Sequence, residues 1–496
     1  MALTVGASRL GLAALRRLPV ESRPLVRPGT VRAGILHLGL SAFHRAHQAV
    51  YTEAALAVAG GDWAIVGVAP RSTAVADALR AQDALFSVTS LSPDGCHTRV
   101  VGALAEIRHA ASDPVAVVTL LAAPSIRVVT LTVTEKAYHL DPATGRFRPD
   151  AAVVADLRAD RPPGTVPGLL VRGLLARAAA DSGPLALVSC DNLPANGHRL
   201  RGLVEQALAF ARVPSAALDW VGRNVTFPGT MVDRIVPAST PATVADAARA
   251  LGVTDLAAVA AEPYRQWVIE DDFPAGRPAW ERAGAVLATD AGPWERLKLR
   301  TLNGVHSAAA YLGALAGRET IADALAVPHL STVLRRLVAQ DVAASFTPPD
   351  EVSVIDYGDQ VLDRFANPAI RYQTRQVAGD GSQKLPQRVL HTIADLRSAG
   401  APARWATLVV AAWMRYVRGR ADDGTELPLD DPLADRIRAL LVDRPDTPTG
   451  VAEALFGLTE VFPPDLAEDD EVRAAVIGWL TELDRYGVSG TLARAA

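Results

Sequence analysis

Apolar residues follow two different rhythms along this chain. In the first 290 or so positions short apolar runs alternate with helical patterns. Residues 34–38 form an apolar run that ends at Gly39 and reads as a buried strand. Residues 43–59 follow as a helix, stopped by Gly60 and Gly61. Residues 63–68 are a second strand, 72–81 a helix, and 127–133 a β-branched strand. Another strand at 185–189 leads into a helix at 197–211. The stretch 141–167, rich in Pro, Asp and Arg, reads as an excursion or loop. Strands that alternate with helices predict an α/β fold with a mainly parallel sheet.

From about residue 293 the rhythm changes. Strand-like runs nearly vanish, and helical periodicity dominates at 295–315, 330–344, 352–365, 405–417 and 470–483. Pro348-Pro349, Asp422-Asp423-Gly424 and Pro463-Pro464 punctuate it. The expectation is a Rossmann-type N-terminal domain over 1–290 and an all-α C-terminal domain over 291–496. A length of 496 residues agrees with two domains. The boundary falls just before Lys298, and small-molecule sites favour clefts between domains.

Composition narrows the function by exclusion. The chain is 49% hydrophobic and 21% charged with a net charge of −4, which leaves no broad basic field for nucleic acid. Its two cysteines, Cys96 and Cys190, belong to no CxxC or Cys/His cluster, so neither a disulfide framework nor a zinc site is expected. No apolar run is long enough to span a bilayer, and no secretory h-region is visible. A soluble cytoplasmic protein with a small-molecule substrate and no membrane partner is expected, as a monomer or small homo-oligomer.

Candidate chemistry concentrates in KLRTLNGVH, residues 298–306. On a regular helix Asn303 and His306 share a face, and Lys298 lies about 80° from His306. An amine can move a proton, an amide can polarise a carbonyl, and an imidazole can hold a hydroxyl. Lysine and histidine on a helix are, taken alone, more often simply solvated.

The pattern Lys-x4-Asn-Gly-x-His resembles the signature of the polyol-specific long-chain dehydrogenases, the mannitol dehydrogenase and fructuronate reductase family. Other strings are similar to the same family across most of the chain. GxxxFHRAHQ, with Gly39, Phe43 and Arg45, looks like its nucleotide-binding turn, although Ser41 stands where a dinucleotide fold would place a second glycine. A serine hydroxyl can bond phosphate, and Arg45 is either a phosphate contact or a surface ion pair. SCDN resembles the motif whose asparagine donates to the substrate oxygen, which implies that role for Asn192. FPGTMVDRI implies a hydroxyl acceptor at Asp233. TEK implies a proton relay at Glu135, whose other reading is an ion pair with Lys136 or Arg127. DGSQK looks like the family's DGSxK turn and places Lys384 towards substrate.

The second strand ends without the acidic residue that grips an adenosine ribose. Arg71 there can meet a 2′-phosphate or stack on adenine. The resemblance implies NAD as the coenzyme, and the missing acid with Arg71 leaves NADP as the alternative. Gln376 occupies the place of an arginine expected in the mannitol dehydrogenase branch, and QKLPQR looks closer to fructuronate reductases. A uronate needs a cation for its carboxylate, and Arg371, Arg375, Lys384 and Arg388 are candidates. The resemblance implies reversible reduction of D-fructuronate to D-mannonate by NAD(P)H. Lys298 would be the general acid/base, Asn192 and Asn303 the donors to the alkoxide, and His306 the orienting group, with no metal. Fructose/mannitol and tagaturonate/altronate are the alternatives within the family, and a non-catalytic nucleotide-binding regulator is the alternative outside it.

Overall fold

The structure is a computed structural model, and it describes residues 8–70, 73–141, 144–158, 161–442 and 444–496. The chain forms two compact units, Met1–Gly292 and Pro293–Ala496.

Among its described residues the first unit contains twelve strands. They are β1 Ala33–Leu38, β2 Ala64–Ala69, β3 Phe86–Ser92, β4 Gly95–Val101, β5 Leu104–His109, β6 Val128–Leu131, β7 Leu185–Ser189, β8 Val225–Thr226, β9 Thr230–Asp233, β10 Val259–Ala261, β11 Gln266–Glu270 and β12 Val286–Ala288. Six of them make a sheet in the order β5-β2-β1-β6-β7-β8, with every neighbouring pair parallel. Numbered along the chain within this sheet, the order is 3-2-1-4-5-6, that of a dinucleotide-binding fold. Both faces are covered, so the strands are apolar on both sides. Ile35, Ile65 and Val128 feed one core, while Leu36, Leu38, Val66 and Val129 feed the other. The period of two along β1 divides these sets.

Two three-stranded sheets complete the unit, β10-β3-β4 and β12-β11-β9. Neither is among the strands expected from the sequence. The β3–β4 hairpin closes with Ser92 paired to Gly95 across Pro93-Asp94. The stretch 141–167 is not a simple loop either. Asp150 caps a helix at Ala151–Leu157, and Thr165 caps the helix Val166–Ala179. The helix expected over 43–59 is two, Ala42–Ala46 and Gln48–Ala59. His47 leaves helical geometry between them at φ −122, ψ −85.

The second unit is helical. The helix Gly304–Leu315 lies at its centre, with all twelve residues buried. The predicted 470–483 helix continues to Ala495, interrupted at Gly487 with φ +63, where Asp422 accepts the Val488 amide at 2.7 Å. Three stretches wind as π-helix: Lys298–Asn303, Leu337–Val342 and Pro386–Leu390. Such segments are rare and recur at functional sites.

Candidate active site

In the first unit the order of strands reverses beside β1, so the turn after β1 faces the crevice where parallel α/β sheets bind ligands. Gly39 opens this turn at φ +104. A Cβ there would overlap the Thr132 carbonyl, so the position requires glycine. His37 holds the turn from below. Its Nε2–H donates to the Gly39 carbonyl at 2.9 Å, and its Nδ1 accepts from the Thr130 hydroxyl at 2.8 Å.

Ser41 is the N-cap of the following helix. Its Oγ accepts the His44 amide at 3.0 Å and lies 3.2 Å from the Thr132 hydroxyl. The Thr132 hydrogen is spent on the Gly39 carbonyl at 2.6 Å, so Ser41 is the donor to Thr132. Ser41 thus caps the helix in this structure. Arg45 likewise is neither a surface ion pair nor turned outward. It is buried, with its guanidinium on the carbonyls of Ala257 and Ser41, and burial lowers its pKa to about 10. Phe43 is half-buried and stacks on His47 at 5.0 Å. Among the described residues, the amides of Ala42 and Phe43 have no partner, and they fit a pyrophosphate at this turn. Arg71 lies outside the described residues. A cavity of about 510 Å³ opens beyond the ends of β2 and β6, lined by Pro70, Val133, Thr134, Ala137 and Thr165 among others.

The loops after β6 and β7 are stitched together by residues that sequence reasoning passed over. Asp191 accepts the Thr134 amide at 2.8 Å and the Tyr138 hydroxyl at 2.9 Å, and burial raises its pKa. This bonding holds Thr134 at φ 73, ψ 158, a region nearly confined to glycine. A β-branched residue there stores strain of about 1–3 kcal/mol. The next residue is Glu135, exposed at the start of a short 3₁₀ turn. Arg127, one of its suggested partners, instead covers the Trp63 ring and bonds the Asp62 carbonyl.

Asn196 is buried and spans to β9. Its Nδ2 donates to the carbonyls of Asp191 and Thr230, and its Oδ1 accepts the Thr230 amide. Asn192 is thus presented, exposed, on a fixed loop. Asp233 ends β9 and is buried, while Arg234 turns to the carbonyls of Glu262 and Ala46. The signal for Tyr138 and Asn196 was their place inside the motif strings.

In the second unit Lys298, Asn303 and His306 are all buried, at 8%, 6% and 9% exposure. A lysine is almost never so buried without a purpose or a partner. The helix expected over 295–315 is not regular. It runs as α over Gly292–Leu297, as π over Lys298–Asn303 and as α again from Gly304. The Gly304 amide bonds back five residues to the Leu299 carbonyl. On an α-helix Lys298 and Asn303 would lie about 140° apart. Winding with i→i+5 bonds stacks residues five apart on one face. The π segment thus turns the two positions towards one face, which the 3.6-residue period could not reveal.

The third π segment, Pro386–Leu390, packs against the first. A Cβ on Gly304 would stand 3.0 Å from the Arg388 carbonyl, so glycine permits the approach. The Arg388 guanidinium donates to the Ser307 hydroxyl at 3.1 Å. His306 stacks on Phe365 at 4.5 Å and Tyr372 at 5.2 Å, and its Nε2 has no partner. Burial, then Arg388, Lys384 and Arg364, push its pKa well down, so the ring is neutral.

Lys384 does not project from a turn. It sits in a short helix, Gly381–Leu385, with its amine on the carbonyls of Gly379 at 2.5 Å and Val377 at 3.3 Å, and Asp380 at 3.7 Å. Burial first, then Arg388, lowers its pKa. Arg371 and Arg375 are exposed, and Gln376 beside them is exposed too. Among the described residues no cluster of His, Cys, Asp or Glu could hold a metal, and no helix is long and apolar enough to cross a membrane.

The comparisons agree with this geometry. The Escherichia coli (strain K12) protein named uncharacterized oxidoreductase YeiQ is 40% identical over 468 residues, 93% of this chain and 94% of that one. The D-mannonate oxidoreductase of the same organism is 38% identical over 475 residues, 95% of this chain and 97% of that one. The Pseudomonas fluorescens mannitol 2-dehydrogenase, solved as a ternary complex with NAD and D-mannitol, superposes with a TM-score of 0.85. It is 34% identical and covers 98% of this chain and 99% of its own. Residues 33–282 match the mannitol dehydrogenase Rossmann domain and residues 290–484 the mannitol dehydrogenase C-terminal domain, so this chain belongs to the mannitol dehydrogenase family.

Proposed function

We propose that this chain is an NAD-dependent oxidoreductase of a sugar acid, reducing the 2-keto group of D-fructuronate to give D-mannonate and running the reverse oxidation. The observation that carries the reading is the buried Lys298, turned towards the face of Asn303 by the π turn. The coenzyme, when bound, supplies or receives the hydride. The Ala42 and Phe43 amides and the Gly39 turn would hold its pyrophosphate. Asn303 and Asn192 donate to the oxygen that gains negative charge as the carbonyl is reduced. Lys298 delivers the proton to that oxygen, and in oxidation removes it. The neutral His306 orients a neighbouring hydroxyl through the free Nε2. Asp233 accepts from a substrate hydroxyl, and Glu135, exposed beside the strained Thr134, passes protons to solvent. The D-mannonate oxidoreductase among the relatives supports the sugar-acid reading.

A second reading is mannitol/fructose interconversion, favoured by the D-mannitol held in the Pseudomonas fluorescens enzyme. Against it stands Gln376, with an amide where that branch is expected to carry a guanidinium. A panel of ketouronates and ketohexoses, each with NADH and NADPH, separates the readings. The expected outcome is turnover of fructuronate well above fructose, with NADPH disfavoured by less than about a thousandfold, roughly 4 kcal/mol. A preference for fructose returns the chain to the mannitol reading. Nucleotide binding without turnover of any keto sugar points to a regulator.

A further inference from the structure

Four cations were candidates for a substrate carboxylate, and the structure treats them differently. Arg371 and Arg375 are exposed, and an anion bound there would compete with water. The Lys384 amine has two carbonyls and a carboxylate around it. Arg388 is different. It is half-buried and forms no ion pair among the described residues; the Asp380 carboxylate acts on it from beyond contact and is itself 3.7 Å from the Lys384 amine. Its one hydrogen-bond partner is the neutral Ser307 hydroxyl. A guanidinium carries five donors in a planar fork, so most of them remain unspent. A charge withdrawn from water without an opposite charge is costly, and folds rarely keep one without a ligand to meet it.

The placement of Arg388 is equally specific. Its backbone carbonyl rests against Gly304, the residue after Asn303. Its guanidinium is bonded to Ser307, the residue after His306. Asn303 and Ser307 are four apart and lie on one face of the helix, about 6 Å from each other along the axis. In an open-chain 2-keto hexuronate four C–C bonds separate the keto carbon from the carboxyl carbon. At about 1.5 Å each these span about 5 Å when extended. A carbonyl held at Asn303 therefore places the carboxylate beside Ser307, where the fork of Arg388 is.

We propose that the Arg388 guanidinium is the receptor for the substrate's carboxylate and sets the preference for a sugar acid over a neutral sugar. The assignment rests on the ketouronate reading above. Binding is bidentate through the free donors, with Ser307 fixing the plane of the fork. Lys384 adds positive potential without direct contact. Burial first, and the cationic surroundings after it, keep His306 neutral and able to orient a hydroxyl.

The test compares kcat/KM for fructuronate and for fructose in the wild type, Arg388→Met, Arg388→Lys and Lys384→Met. In Arg388→Met the ratio of the two values is expected to fall roughly 10- to 150-fold, the range typical of a charge-assisted bond, and mostly through the KM for fructuronate. Arg388→Lys should recover part of the ratio, because it keeps the charge and loses the fork. Lys384→Met should move the ratio less than Arg388→Met does. If Arg388→Met fails to fold, the affinity of Arg388→Lys for mannonate against mannitol, titrated with coenzyme bound, reads the same selectivity. A wild type that prefers fructuronate, with the ratio unchanged in both Arg388 variants or lost more in Lys384→Met, overturns the assignment and leaves the ketouronate reading standing. A wild type with no preference for fructuronate overturns that reading, and the assignment with it.

Discussion

The turn after β1 and the helix that begins at Lys298 are both crowded with imidazole and guanidinium groups, and they use them in opposite ways. In the turn nearly every polar side chain faces inward and is spent on the fold. His37 and His47 donate to the carbonyls of Gly39 and Gln266, Arg45 to that of Ala257, and Ser41 caps a helix. The exceptions are the ring nitrogens of His44, which stacks on His37 at 3.4 Å, the Nδ1 of His47 and the side-chain amide of Gln48. Around the second unit's helix, buried polar groups are left with capacity to spare. His306 has a free Nε2, and Arg388 meets one hydroxyl and no acid. An unmade buried hydrogen bond costs about 1–3 kcal/mol. The difference teaches that a dense motif is not itself a site. On the proposed function, the unspent groups of the second unit, His306 Nε2 and the Arg388 fork, are those a substrate would meet. It follows that changes in the first set should be read in stability, and changes in the second in rate.

The sharpest way to break this contrast is at Lys298. Lys298→Ala is expected to lower kcat by about 10²- to 10⁴-fold, as for a general acid–base group. The thermal midpoint and the coenzyme affinity, which the first unit supplies, should change little. Single-turnover hydride transfer and coenzyme fluorescence measure the two effects on one preparation. A variant that keeps more than about a tenth of wild-type kcat would show that Lys298 is buried for structural reasons.

The same contrast explains how much of the molecule could be read from its sequence. The parallel sheet was legible because its strands are buried on both faces and written as unbroken apolar runs, as in β1, β2 and β7. The short strands β9 to β12 were not, since three to five residues carry no period of their own. Lys298, Asn303 and His306 were visible as residue types at a spacing. What turns Lys298 towards the face of Asn303 is a π turn, which depends on i→i+5 bonds and on the close passage of Gly304 by Arg388. A period of 3.6 cannot encode either. The inward roles of Ser41 and Arg45 were hidden for a related reason, because their partners Thr132 and Ala257 lie far away in sequence.

Glu53 sharpens the stability side. It is buried, accepts the Gly102 amide at 2.6 Å, and burial raises its pKa to about 7. An acid whose folded pKa stands above its unfolded value of 4.5 penalises the folded state when ionised. The penalty is full above pH 7 and is relieved as pH falls through 7 towards 4.5. Glu53→Gln keeps an acceptor for Gly102 and removes the titration. It is expected to stabilise the protein by about 2–3 kcal/mol at pH 8 and by less than about 1 kcal/mol at pH 5, with kcat unaffected. Urea unfolding at the two pH values decides it, and equal effects at both would mean that Glu53 ionises in the fold as readily as in the unfolded chain.

His47 gives the smallest effect and the opposite sign. Burial lowers its pKa to about 3, against the Gln266 carbonyl bond that raises it. A histidine kept neutral in the folded state contributes stability that is complete above the unfolded value of 6.5 and is lost as pH falls towards 3. Between pH 7 and pH 5 one such group removes about 2 kcal/mol. His47→Leu forfeits the bond to Gln266 and the stacking with Phe43, so it should be less stable than wild type at pH 7. Its stability should then fall less on acidification, by about 2 kcal/mol between the two pH values, because the proton-binding site is gone from the unfolded chain. Comparing the pH slopes of the two proteins isolates this one group, since the remaining histidines and buried acids titrate in both. Parallel slopes would show that His47 already carries its proton in the folded state. The turn would then resemble the helix site, holding an uncompensated charge in reserve, and the division drawn between the two regions would fail.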